Sequence, residues 1–348
     1  MPTPRVPLSV LDLVPRSQGM TPATAIEESV ALAREVDQLG YRRFWMAEHH
    51  GSEAFMSSAT SLLLGHVAHA TERIRLGSGG VMLPNHSPLM VAEYYGTLAT
   101  MHGDRFDLGL GRAPGTDPMT AAALSRSSGH LPDFAGEVAD LQAYLGAPQA
   151  GRRVRALPGE GTQVPLWMLG SSTGGAQVAA ALGLPFSFAS HFAPDQLQEA
   201  LSLYRDRFRA DAETAEVDRP TTMAGVNVLV APTQEEADHL FTTAQLMAIR
   251  IRSGQPAPLD PPVESLAAVV PTELLPLANA HQSVKMVGTP ETVVEKLEAF
   301  AAAHELDELI VTTYTFDPEL RRRSYRMLAE AWGVEASTSS GESIAATT

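Results

Sequence analysis

Glu48-His49-His50 closes an apolar run, Arg43-Phe44-Trp45-Met46-Ala47. Imidazole changes charge near neutral pH, so a histidine at the end of a buried strand suits general acid or base work. A histidine satisfied by packing fits the same position, and these residues alone leave both readings open. Neighbours in extended chain point to opposite sides, so one of His49 and His50 faces a site and the other packs or hydrogen-bonds structurally. The cluster lacks the His-Glu-x-x-His spacing of a helical metal site, and no metal is expected.

Ile74-Arg75-Leu76-Gly77-Ser78-Gly79-Gly80 is a second strand-like run, ending in residues without side chains. Glycine there lets a flat ligand lie on bare main chain, or simply makes a turn. Asn85-His86-Ser87-Pro88 then opens a helix and adds polar groups to the same rim. In Gly109-Leu110-Gly111-Arg112-Ala113-Pro114-Gly115 the third glycine falls one position late for a dinucleotide fingerprint, and Pro114 interrupts the helix start. Arg112 is read instead as a fixed cation for an anionic ligand, with an ordinary surface arginine as the alternative. Gly170-Ser171-Ser172-Thr173-Gly174-Gly175 follows an apolar run and leads into a helix, so its free N–H groups suit a phosphate. It holds no Gly-Lys-Ser or Gly-Lys-Thr, which excludes a Walker loop. With Arg112 it makes a site for one phosphomonoester.

The chain has 348 residues and a formal net charge of −15, from 40 acidic and 25 basic side chains. Its long-range field repels nucleic acid and anionic membranes, so a phosphate-bearing ligand needs a local site. The absence of cysteine excludes disulfides, thiolate metal sites and a cysteine nucleophile. No run approaches the roughly 18 apolar residues of a membrane span, and the first residues lack the charged-then-apolar order of a signal peptide. A cytoplasmic protein is expected.

These groups are positioned by a repeated strand-then-helix alternation. Strands are expected at 6–13, 43–47, 74–78, 106–111, 165–169, 185–189, 222–230 and 308–313. Between the first two, Ile26, Val30, Ala33 and Val36 form one helical face, with Thr21 as N-cap, Pro22 at the first position and Gly40 past the end. Further helices are expected at 59–70, 88–101, 133–145, 175–182, 194–210, 290–304 and 318–332. Eight such strands close a (β/α)8 TIM barrel, with an open doubly wound sheet as the alternative. The expected fold is therefore α/β, a barrel with insertions, in a single domain over 1–334. The proline-rich stretch 253–280 is expected to be a mobile lid and the tail 335–348 to be disordered.

Four motifs together carry a family resemblance: Ala47-Glu48-His49-His50, the run from Gly77 to Pro88, the run from Arg105 to Arg112, and Val287-Gly288-Thr289-Pro290. They resemble the bacterial luciferase-like flavin-dependent monooxygenases, most closely the alkanal-monooxygenase-like single-subunit oxidoreductases, over residues 8–332. The resemblance implies a luciferase-like barrel that binds FMN, used as reduced FMN from a separate flavin reductase. With O2 it would oxidise an aldehyde or another small organic substrate. His49 matches the active-site histidine, and Gly79 and Gly80 match a backbone pair that meets the flavin ring through a non-prolyl cis peptide. Arg112 and Ser171 match phosphate-side positions, beside Gly170 and Ser172 of the turn described above, and Ser190 matches a flavin-contacting strand end. A homodimer packed through 59–70 and 88–101 is also implied, with Ala59, Gly65, Ala68 and Ala70 small enough for close helix approach.

Three positions depart from the family pattern. Gly111 stands where the catalytic subunit of bacterial luciferase has a cysteine, Gly170 replaces an acidic residue, and an arginine common in relatives near Gly136 is absent. Light emission is therefore not implied. Similar barrels use deazaflavin F420 for hydride transfer, and some members keep FMN without turnover. An F420-dependent oxidoreductase and a non-catalytic flavin-binding protein are the alternatives.

Overall fold

Apolar runs punctuated by Gly, Pro and capping residues give nine strands, all paired in parallel, among the described residues, which are 5–113, 118–124, 133–279 and 284–334 of this computed structural model. The first half runs β1 (Leu8–Asp12), α1 (Pro22–Leu39), β2 (Arg43–Met46), α2 (Thr60–Ala70), β3 (Arg75–Met82), α3 (Pro88–His102), β4 (Phe106–Gly111), α4 (Pro118–Leu124) and α5 (Phe134–Leu145). It continues β5 (Leu166–Gly170), α6 (Thr173–Leu182), β6 (Phe186–Phe188), α7 (Leu197–Arg207), β7 (Thr222–Val230), α8 (Gln234–Arg252), β8 (Lys285–Gly288), α9 (Pro290–Ala303), β9 (Glu308–Thr312) and α10 (Pro318–Trp332). Strands β1 to β7 pair in sequence and β9 bridges β7 to β1, so the ring closes as the expected eight-stranded (β/α)8 barrel.

Local chemistry explains the elements. The Thr21 hydroxyl accepts the Thr24 N–H at 3.1 Å, Pro22 opens α1, and Gly40 ends it at φ 92°, a left-handed conformation. β3 extends past 78 to Met82: the glycines read as a turn, but β4 continues the pairing at Val81↔Leu110 and Met82↔Gly111 after a register shift. β8 and α8 are additions to the sequence reading. β8 stands outside the ring against 227–230 of β7 and is too short to separate from the surrounding insertion. The Val287-Gly288-Thr289-Pro290 motif proves to be the turn from β8 into α9, where Thr289 caps the helix.

Two cores share the sheet. Outward residues such as Val10, Phe44, Leu76, Leu108 and Phe186 pack with the helices, while Leu11, Trp45, Trp167, Met223 and Ile310 form an inner cluster. Below that cluster the barrel floor is charged. Arg43 donates to Asp107 Oδ2 at 2.6 Å and to Glu308 Oε1 at 2.9 Å, and Ser9 donates to the same Glu308 oxygen. Trp45 Nε1 reaches Asp107 Oδ2 at 3.1 Å and its ring meets Trp167 edge-on at 5.5 Å. Space for these rings comes from glycine: a β-carbon at Gly77 would lie 2.8 Å from Trp45 Nε1, and one at Gly109 2.1 Å from Ser78 O.

The 253–279 part of the insertion is tied down at both ends. Leu259 is buried and exchanges backbone hydrogen bonds with Arg16 and Gln18, while Asp260 pairs with Arg250. Ala278 is buried and Asn279 receives bonds from Gln245 and Lys285. Between these anchors, 264–277 is exposed or half-buried and includes two short 3-10 helices. On α2, Ala68 is buried in its own chain and Gly65 faces Leu98 of α3, so these small residues serve an intrachain contact. The outer apolar surface of α2 and α3 belongs instead to Leu62, Met90, Tyr94 and Met101. The 335–348 tail, Pro114 and Gly115 lie outside the described residues.

Removing Asp107 leaves Arg43 as a buried charge with part of its pairing gone. Asp107→Ala should cost about 3–5 kcal/mol in urea unfolding. Loss of the exposed Asp211 should hardly move the midpoint, and equal effects would refute the charged floor.

Candidate active site

Parallel strands bring their carboxyl ends to one rim, and the polar groups picked out from the sequence gather there. Glu48, 1% exposed, follows β2. Its Oε1 accepts from His50 Nε2 and His86 Nε2, both at 2.8 Å, and its Oε2 from the Met82 N–H at 3.2 Å. Burial by itself raises the Glu48 pKa, but these three donors outweigh it and hold the carboxyl below its ordinary value. The three side chains offer ligand atoms within 4.8 Å of one another. The carboxylate already engages one nitrogen of each imidazole, so hydrogen bonding accounts for the group.

His49 behaves differently. Its backbone N–H donates to Ser57 O at 3.2 Å, its ring meets Phe55 edge-on at 5.3 Å, and the imidazole also interacts with the Glu48 backbone. Burial and the adjacent His50 lower its pKa, with Glu48 opposing them, so the ring is neutral at neutral pH. The pair thus divides as the alternation requires: His50 is bonded to the Glu48 carboxylate, and His49 turns to Phe55 on the other side.

The Gly79–Gly80 peptide is cis. A β-carbon at Gly80 would lie 2.7 Å from Gly109 O, so packing against backbone demands glycine there, while one at Gly79 would clash only with the movable tip of Leu11, at 2.6 Å. Gly79 is half-buried and Gly80 buried. After β4 and β5 a second set assembles. Arg112 lies over the start of α6, where a β-carbon at Gly174 would come within 2.8 Å of its guanidinium, and it makes no ion pair among the described residues. Ser171 is exposed, and Ser172 occupies the α6 N-cap without a side-chain capping bond. Thr173 N–H is taken by Gln196, but the remaining first-turn N–H groups have no helical partner. Gly170 keeps this turn tight, its position lying 3.2 Å from the Gly175 α-carbon when a β-carbon is added.

Ser190 is fully buried and donates to Gly225 O at 2.6 Å, so its hydroxyl proton is used within the scaffold. Sequence reasoning put Glu48 and His86 near the rim without their pairing, and passed over His191 beside Ser190. The last was marked by a polar pair, Ser190-His191, ending an apolar strand.

A closed parallel barrel thus brings a histidine, a Gly-Gly pair and an arginine beside a helix start to one rim. Residues 7–304 match the luciferase-like monooxygenase family, and the chain belongs to it. It is 41% identical over 324 residues to a luciferase-like monooxygenase of Escherichia coli K12, covering 92% of this chain and 96% of that one. It also resembles apo-MsnO8, at 36% identity and a TM-score of 0.86 over 95% of this chain and 99% of that one. Two more distant proteins share the fold at a TM-score of 0.66. One is the oxygenating constituent of 3,6-diketocamphane monooxygenase from Pseudomonas putida, solved with FMN, at 16% identity over 94% of this chain and 98% of that one. The other is an F420-dependent secondary alcohol dehydrogenase, at 14% identity over 95% and 99%. The chain is thus a flavin-dependent oxidoreductase.

Glu48→Gln should lower stability at neutral pH by roughly 1–3 kcal/mol, since a charged acceptor with three donors is lost. The folded pKa of Glu48 lies below its unfolded value, so its contribution is complete above the ordinary 4.5 and disappears as pH falls through the folded value. Urea unfolding of both proteins from about pH 7 to about pH 3 should show the gap closing with acid. A gap independent of pH would contradict the assignment.

Proposed function

We propose that the chain is an FMN-dependent monooxygenase that takes reduced FMN and O2 and oxidises an aldehyde or another small organic substrate. The observation that carries this reading is the meeting of Arg112 with the first turn of α6. In a chain of net charge −15, an arginine without an acidic partner among the described residues, beside unspent N–H groups, suits a phosphate dianion. Ser171 and Ser172 add hydroxyls to that cradle, and Gly170 holds its shape. Gly79 and Gly80 offer the flat surface that a tricyclic ring needs, one strand away from the arginine. When bound, the reduced flavin supplies the electrons that activate O2.

The chain's own residues bind, shield and move protons. His49 is the proton donor or acceptor, because burial and His50 lower its pKa and it follows β2 at the rim. Glu48 ties the segment after β2 to the end of β3 through the Met82 N–H, and Ser190 locks the segment after β6. The exposed stretch 264–277, hinged between Leu259 and Ala278, is the mobile cover that excludes water. In this reading reduced FMN comes from a separate flavin reductase. The protein acts as a cytoplasmic homodimer joined through Leu62, Tyr94 and Met101, of which Leu62 is 76% exposed. No helix among the described residues is long and apolar enough to cross a membrane.

F420 is the second reading, supported by the shared fold of the F420-dependent dehydrogenase. Hydride transfer from a deazaflavin consumes no O2, which separates the two. An oxygen electrode with reduced FMN and aldehydes should record substrate-dependent uptake. His49→Ala should bind FMN nearly as wild type while turnover falls roughly 10²- to 10⁴-fold. Equal turnover would remove His49 from the chemistry, and O2-independent turnover with reduced F420 would replace FMN as the cofactor.

A further inference from the structure

The end of β6, Ala189-Ser190-His191, is clamped onto β7. Ser190 Oγ donates to Gly225 O at 2.6 Å and the Asn227 side-chain amide donates to His191 O at 2.7 Å. Along β7, Ala224, Val226 and Val228 belong to the outer core and Met223 to the inner cluster, so Gly225 faces into the barrel. The His191 ring lies on that glycine. A β-carbon at 225 would come within 2.1 Å of Nδ1 and 2.9 Å of Cε1. The imidazole therefore stands inside the barrel mouth, and only glycine at 225 leaves room for it.

Nδ1 is buried with no hydrogen-bond partner, although the residue as a whole is only half-buried. A buried N–H without an acceptor is the rarer and costlier defect, so the single proton of the neutral ring belongs on Nε2. Nε2 lies on the ring edge away from Gly225 and has no partner among the described residues. Burial of the ring pushes the His191 pKa down to about 4, which keeps it uncharged where the protein works. It complements Arg112: one is a cation for a phosphate, the other a neutral donor.

The geometry points to His191 as a further binding residue of this site, whose Nε2–H donates to a carbonyl oxygen of the molecule held in the barrel mouth. That carbonyl belongs to the flavin ring or to the organic substrate. The assignment rests on the flavin reading above and deepens it.

Three variants and one measurement on the free protein test it. His191→Phe keeps a packed ring without the donor, His191→Gln keeps a neutral donor, and Gly225→Ala leaves the histidine intact but displaces it. His191→Phe and Gly225→Ala should weaken binding about five- to tenfold, with His191→Gln close to wild type. A flavin carbonyl shows as a raised Kd for FMN. A substrate carbonyl shows as a raised KM for the aldehyde at unchanged FMN affinity. Histidine nitrogen NMR of the free protein should find His191 neutral and protonated on Nε2 from about pH 6 to about pH 8. Should the wild type bind no flavin, the parent reading fails by itself, and the NMR still decides whether the donor exists. A proton on Nδ1, titration within that range, or wild-type Kd and KM in His191→Phe would overturn the proposal.

Discussion

Arg43 stands between Asp107 and Glu308 almost out of reach of water, so its charge is tolerated only because β4 and β9 deliver both carboxylates to it. That requirement ties three strands at the floor of the barrel and fixes what stands above them. Asp107 also accepts from Trp45, whose ring fills the inner core against Trp167. With the tryptophans in place, β3 and β4 can approach only through glycine, at Gly77 and Gly109. The floor thus sets the shape of the wall.

It also sets the phase of β2. Counting inward positions by twos from Arg43 passes through Trp45 and Ala47, both inside the barrel, and arrives at His49. Glu48 turns to the other side, where Met82, His50 and His86 satisfy it. A histidine facing into the barrel and one bonded to Glu48 therefore follow from one strand's alternation. Arg112 and the start of α6 meet separately, after β4 and β5. The histidine and the arginine therefore stand on different loops of one scaffold.

Much of this was legible in the chain. Buried parallel strands read as continuous apolar runs, and β4 falls at 106–111 as expected. Arg112 and the 170–175 turn follow neighbouring strands, so their meeting could be anticipated. What escaped depends on long-range contact. The extension of β3 to Met82 comes from pairing with β4, against the turn tendency of its glycines. His86 reaches Glu48 across 38 residues, a separation no local pattern reveals. The Ser190 hydroxyl and the His191 ring acquire meaning only once β7 places Gly225 opposite them. Gly65 reads as part of an outward contact surface until Leu98 of α3 is seen against it.

The central claim is that Arg112 and the start of α6 hold a phosphate while the glycine wall holds a flat ring. Titration with FMN and with riboflavin, on the wild type and on Arg112→Ala, tests both halves together. FMN should bind at least about tenfold more tightly than riboflavin to the wild type, and Arg112→Ala should remove most of that difference. Equal affinities for the two flavins in the wild type would contradict the account.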